Sequence, residues 1–416
     1  MWDNNTWWRL KLAPALAILW PIYYFLAFTF GRYEGLTQVF MWGGLVIPAI
    51  LTIVLYIKTR SPLPKEAVIL AGFVVWCLSW IFFVEDLSAY LNYLRFLVQF
   101  LIITIAISLV IKKTGQMQWF FWALLGVVLF NVLIGLGGIS QETIHLAEAE
   151  RTEGLYTNPN LLGAHAQIGI LAVLALLGEK RSWLIRAVLI GGALVALFGL
   201  VLSASRGAFL PVILYALLWP TMCIGSQVQK KWKLIFPMMV IIAIALILTP
   251  WIMDNTVMGK RMLMAQQMED GSAKFRLELI IAGLKLGLDY PLFGAGLGQF
   301  GIASGMRVYA HNEWAELIGT TGFIGFIIYI SAYAMAWIRL ARVLQKIRDS
   351  NVRYWCNIGR LVLLMLLLTG ATSRPNFLAT DTWFLFGIVV GIGLWAESKC
   401  RKSSRNLKLR AQVVTY

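Results

Sequence analysis

Apolar runs of about 20 residues recur along the whole chain, separated by short polar stretches. A helix of that length crosses a hydrocarbon core of about 30 Å, and within lipid only helices and closed barrels satisfy their own backbone. Twelve such runs can be read, over 12–30, 38–57, 67–84, 94–111, 118–139, 161–177, 184–204, 207–223, 233–252, 314–338, 358–372 and 382–396. The pattern predicts an all-α polytopic membrane protein with about 12 transmembrane helices. The first run is too long for a removable signal peptide and lacks a small-residue cleavage site. Residues 1–416 then form a single integral membrane domain, with a basic tail at 397–416 that falls on the cytoplasmic side. Most connections are short, but a large loop occupies 253–313, between the ninth and tenth runs. A loop that long usually carries function.

Composition agrees with the pattern: 59% of residues are hydrophobic and 13% charged, with a mean hydropathy of +0.74. Charge placement adds an orientation. Of the 36 Lys and Arg residues, 25 gather on one side of the spans, in clusters such as Lys58/Arg60/Lys65, Lys112/Lys113 and Lys180/Arg181/Arg186. Basic residues mark the cytoplasmic side, so both termini are predicted to be inside and the large loop periplasmic. Fifteen of the 20 acidic residues lie outside. The net charge of +16 is therefore a topology signal and a contact with anionic lipid headgroups, not a nucleic-acid footprint. None of the four cysteines falls in an outer loop, so no disulfide framework is expected. No cofactor is called for, and no CxxC or His/Cys cluster marks a metal site.

Within the large loop, residues 272–288 read as a helix closed by Asp289-Tyr290-Pro291. At 100° per residue Lys274, Glu278 and Lys285 share a solvated stripe, whereas Arg276 lies on the face of Ile280, Gly283 and Gly287. That arginine is aimed away from water, as an anion ligand would be. Next comes Gly294-Ala-Gly296-Leu-Gly298. It reads as a tight turn and hinge, with a backbone amide or two within reach of a phosphate. His311 follows at the start of the tenth span, with Asn312, Glu313 and Glu316. A helix N-terminus keeps a histidine neutral, the form that accepts a proton from a hydroxyl, and Glu313 or Glu316 could orient it.

Arg206 stands in Ser203-Ala-Ser-Arg-Gly207, read as the end of the seventh span and a tight hairpin at the outer boundary. A boundary arginine is costly and functional by default, and its planar fork suits phosphate oxygens. Between the fifth and sixth spans, Arg151, Tyr156 and Asn160 could line a sugar or phosphate site. Asn158 and Pro159 in the same stretch are helix-start grammar. His145 and His165 read as structural. A histidine and two arginines at one membrane face suggest chemistry on a lipid-linked phosphate.

With these pieces placed, the chain resembles the O-antigen ligase and polymerase superfamily of bacterial membrane glycosyltransferases. The resemblance is carried by Gly154-Leu-Tyr-Thr-Asn-Pro-Asn-Leu-Leu-Gly163, Ser205-Arg206-Gly207, Arg276 followed by Pro291 and Gly294-Ala-Gly296-Leu-Gly298-Gln-Phe300, and His311-Asn312-Glu313 before a helix with Gly319 and Gly322. It implies a GT-C-like fold and an inverting, metal-independent transfer at the periplasmic face of the bacterial inner membrane. The implied donor is a glycan on undecaprenyl pyrophosphate. The acceptor would be lipid A–core for a ligase, or a second lipid-linked repeat for an O-antigen or exopolysaccharide polymerase. Arg206 and Arg276 match the arginines that hold the pyrophosphate, and His311 matches the histidine of the large loop. Arg151, Tyr156, Asn160, Asn312 and Glu313 are the implied substrate-binding residues. A transporter of lipid-linked glycans would also suit many spans, but such folds show repeated halves, and these halves are unlike.

Overall fold

The structure is a computed structural model that describes residues 4–30, 44–136, 159–179, 181–224, 271–372, 377 and 379–414. Among them are α-helices and no strand. In chain order these are α1 (Asn4–Phe30), α2 (Gly44–Thr59), α3 (Lys65–Leu78), α4 (Leu87–Thr114), α5 (Gln118–Leu136), α6 (Pro159–Leu177) and α7 (Trp183–Ser203). They continue as α8 (Arg206–Trp219, closed by a π-turn at Pro220–Ile224), α9 (Gly271–Asp289), the single turn α10 (Phe300–Ala303), α11 (Glu313–Lys346), α12 (Ser350–Thr372) and α13 (Thr380–Val414).

Eight of the described helices are long and apolar enough to cross a membrane, and the helical stretches Leu45–Thr59 and Gln118–Ile134 are shorter apolar ones. Eleven of the twelve apolar runs coincide with helices; the ninth, 233–252, lies outside the described residues. The run at 67–84 is the one the structure shortens, since α3 ends at Leu78 and residues 79–83 form turns. The chain is an all-α, multi-pass membrane protein. Its outward faces fit that setting, with Leu184, Val188, Ile190 and Leu194 of α7 all exposed. The basic tail is no loose extension, because α13 runs on as helix to Val414.

Helix ends follow local chemistry. Asp86 caps α4 by accepting from the Ala89 amide at 2.9 Å. Gly115 closes the same helix at φ +68°, its N–H donating to Ile111 O, beside Lys112 and Lys113 in the last turn. A left-handed glycine and basic residues are the expected C-terminal partners of helix carbonyls.

The bundle is built on α13 against α4, with α11 packed on α3 and α9, and α6 between α5, α7 and α8. Its core is one large apolar cluster containing Trp20, Tyr24, Phe100, Phe121 and Trp355. A smaller cluster of Leu279, Leu286, Phe300, Ala310 and Ala315 docks α9 and the following loop onto α11. That second cluster positions the loop that carries the candidate chemistry.

Candidate active site

The hairpin between α7 and α8 shows how one arginine is placed. α7 ends at Ser203, Ala204 takes a left-handed φ of +48°, and α8 begins at Arg206. Arg206 therefore opens a helix; it does not end one as the sequence suggested. The turn is held by Ser203 Oγ, which accepts from the Ser205 amide at 3.3 Å and donates to Leu200 O at 2.7 Å. Gly163 of α6 lies against this turn so closely that a Cβ there would stand 2.6 Å from Ser205 Cβ. The motif ending at Gly163 thus seats the hairpin that carries Arg206.

Arg276 comes from α9. Lys274, Glu278 and Lys285 are exposed, Leu279, Gly283, Leu286 and Gly287 are buried, and Arg276 is half-buried. Gly283 and Gly287 let α9 meet α11: a Cβ on Gly283 would come within 2.7 Å of Ala315 O, and one on Gly287 within 2.3 Å of Ile318 Cγ2. About two turns before Gly283, Arg276 reaches a different helix. Its Nη1 lies 3.4 Å from Thr372 O, at the end of α12.

That helix end is where the separate motifs meet. Asn312 Nδ2 donates to Ala371 O at 2.7 Å, and Thr372 Oγ1 donates to Gly207 O at 3.3 Å. The last carbonyls of a helix lack intrahelical partners and carry its negative pole, which favours cations and N–H donors. The C-terminal turn of α12 accordingly gathers α9 through Arg276, the start of α11 through Asn312, and the start of α8 through Gly207, the neighbour of Arg206. Nothing in the sequence marked Ala371 and Thr372 as the meeting point.

The segment before α11 is tightly specified. His311 adopts φ +53°, is half-buried, and its ring centroid lies 4.0 Å from that of Tyr309. Asn312 caps α11 by accepting from the Ala315 amide at 3.0 Å, so both ends of its amide group are used. Glu316 is buried and accepts from the Ala310 amide at 2.5 Å. Glu313, also fully buried, turns into the bundle and accepts from the Tyr329 hydroxyl at 2.8 Å, with Tyr333 a further 3.0 Å on. Glu316 thus holds the turn before His311, and Glu313 ties the first turn of α11 to the helix beyond Gly322.

The glycine string does form tight turns, with φ of +72°, +103° and +76° at Gly294, Gly296 and Gly298. Its first three amides are committed, Gly294 N donating to Tyr290 O at 2.8 Å. Ala295 N donates to Gly319 O at 2.8 Å and Gly296 N to Thr320 O at 2.9 Å. These carbonyls are freed because α11 breaks at Gly322, where φ is +69° and ψ −180°. The Phe323 amide then bonds Pro291 O at 2.8 Å, and Trp76 Nε1 donates to Thr321 O at 3.0 Å. The Ala295 and Gly296 amides are thus spent on repairing the helix break.

Of the remaining candidates, Asn160 sits half-buried in the first turn of α6, while Arg151, Tyr156 and His145 lie outside the described residues. His165 is buried with Nε2 3.7 Å from Asp381 Oδ2, and Gln167 Nε2 donates to Thr369 Oγ1 at 2.9 Å, one turn before Thr372. Among the described residues no group of three or more His, Cys, Asp or Glu is arranged to hold a metal ion. The four cysteines are free thiols.

The chain is thus a multi-pass helical membrane protein whose polar motifs converge at one end of its bundle. Residues 191–330 match the family model described as O-antigen ligase. The match runs from α7 into α11 and includes Arg206, Arg276 and His311. A comparison with curated proteins finds no match. Among solved structures, a chain from a study of the structural coordination of polymerization and crosslinking by a peptidoglycan synthase complex is similar at 16% identity. It covers 80% of this chain and 96% of that one, with a TM-score of 0.38, a likeness too distant to carry an argument.

Proposed function

We propose that this protein is an O-antigen ligase-like inverting glycosyltransferase. It moves a glycan from undecaprenyl pyrophosphate to lipid A–core or a similar acceptor at the periplasmic face of the inner membrane, on a GT-C-like scaffold. The observation that carries the reading is the convergence of Arg276, Asn312 and the Arg206 hairpin on the last turn of α12. Glycan transfer from a pyrophosphate needs cationic stabilisation of the leaving group beside a base for the acceptor. These motifs bring both residue types to one helix end.

The reaction would proceed as a single displacement. The acceptor hydroxyl oxygen attacks the anomeric carbon, and the bond from that carbon to the pyrophosphate oxygen breaks, its electron pair leaving with the phosphate. Arg206 and Arg276 stabilise the charge that grows on this group. A guanidinium has five N–H donors in a planar fork, and preorganised donors act most strongly where charge develops. His311 takes the proton from the attacking hydroxyl, a step worth about 10²–10⁴ in rate. Asn312 fixes the His311 turn, Glu313 ties the first turn of α11 to Tyr329, and Arg151, Tyr156 and Asn160 contact the donor. No step requires a metal ion.

The test is transfer by purified protein in detergent containing EDTA, with undecaprenyl-pyrophosphate glycan as donor and two competing acceptors. Product on lipid A–core supports the ligase; extension of a second lipid-linked repeat makes the same site a polymerase. Absence of transfer to either, alongside movement of the donor across vesicle membranes, would overturn the enzyme reading.

A further inference from the structure

A second cluster of cations lies at the opposite end of the bundle. It lies at the far end of α11, around Arg339 and Arg342, well beyond the break at Gly322. Here a cavity of about 370 Å³ opens between the linker before α3, the end of α4, and the distal halves of α11 and α13. Lys65, Lys112, Arg339, Arg342 and Arg401 line it, with Glu397 as its acidic residue.

The charges in this cavity do not cancel. Arg339 is neutralised locally: Nε and Nη2 donate to the two oxygens of Glu66 at 2.6 and 3.0 Å, and Nη1 to Glu397 at 2.7 Å. Glu66 is wholly buried behind it. That arrangement uses both acidic groups. Among the described residues, no carboxylate forms an ion pair with Lys65, Lys112, Arg342 or Arg401. Lys112 stands within electrostatic reach of Arg401 and Arg339, and of Glu397, which Arg339 already engages. Five cations against two carboxylates leave an excess of three positive charges around one concave space. Like charges held together in a partly desolvated site repel unless an anion joins them.

We propose that this cavity binds a phosphate-bearing anion. Arginine forks and lysine ammonium groups are the usual donors to phosphate oxygens, and about 370 Å³ is within the range of small-ligand sites. Leu63, Met335 and Leu394 give the same cavity an apolar wall. Under the orientation proposed above, it faces the anionic cytoplasmic leaflet, where basic pockets between spanning helices take lipid headgroups. The ligand chemistry is a phosphate carried either by a lipid or by a free pyrophosphate.

The test measures binding to the full-length purified protein without glycan donor, so its outcome is independent of the transfer reaction. Phosphatidylglycerol and phosphatidylcholine are compared by native mass spectrometry, and pyrophosphate by calorimetry. The Lys112→Gln/Arg342→Gln variant is set beside the charge-matched Lys346→Gln/Arg348→Gln variant, whose residues lie outside the cavity. Arg401→Gln, at an exposed position, serves as a second and milder probe. We expect at least a tenfold loss of phosphatidylglycerol or pyrophosphate in the cavity variants and none in the charge-matched one. Retention of phosphatidylglycerol alone identifies a headgroup site, and retention of pyrophosphate alone a free-phosphate site. Equal retention of phosphatidylcholine and phosphatidylglycerol without pyrophosphate binding, or equal binding by all variants, overturns the proposal.

Discussion

Arg276 Nη1 lies 3.4 Å from the carbonyl oxygen of Thr372, bridging 96 positions of sequence between α9 and the end of α12. The contact gives a cation to the negative end of a helix and fixes where the guanidinium sits. Replacing Arg276 with Lys keeps the charge but not the planar fork. Arg276→Lys should therefore retain fold and thermal stability while losing at least tenfold in kcat, measured in the transfer assay. A variant at wild-type rate would show that the fork is not used.

Asn312 works at both ends of its amide, capping α11 through Oδ1 and holding Ala371 O through Nδ2. Loss of an Asn cap costs about 1 kcal/mol, and loss of a further hydrogen bond about another 1 kcal/mol. Asn312→Ala should lower the unfolding midpoint in detergent and reduce transfer, because His311 precedes the cap directly. Asn312→Asp should recover the cap without the Ala371 bond and fall between the two.

Gly322 is where α11 breaks. At φ +69° any side chain is strained, and a Cβ would stand 2.3 Å from Leu292 O. Left-handed strain costs about 1–3 kcal/mol, and the clash adds to it. Gly322→Ala should destabilise the protein and loosen the 291–299 loop, read as faster proteolysis at that loop.

At the other end of the bundle, Arg339 faces the wholly buried Glu66. Removing one partner of a buried pair costs about 3–5 kcal/mol because the other charge is stranded. Arg339→Ala should be the most destabilising of these changes by thermal unfolding. Arg339→Ala together with Glu66→Ala should recover part of the loss.

The fold was legible wherever about 20 apolar residues ran together, since lipid allows such a run few alternatives. The stripe of Lys274, Glu278 and Lys285 was legible for a similar reason, because helical period separates it from the buried glycines. Three things were not. Ala371 and Thr372 act through backbone carbonyls at a helix end, which no residue type advertises. The Ala295 and Gly296 amides have chemistry suited to a phosphate, and only the break at Gly322 shows where they are used. Glu313 beside His311 reads as its orienter in one dimension, yet the helix turns its carboxylate inward to Tyr329. Local chemistry was readable; the partners brought by distant helices were not.

The most direct test separates donor binding from turnover. Affinity for the pyrophosphate-linked donor and the single-turnover rate would be measured for wild type, Arg206→Ala, Arg276→Ala and His311→Gln. The account predicts weakened donor binding and lost turnover in both arginine variants. His311→Gln should bind donor as the wild type does while turning over about 10²–10⁴-fold more slowly. Wild-type turnover by His311→Gln, or unchanged donor binding and turnover in both arginine variants, would contradict a single site built from these three residues.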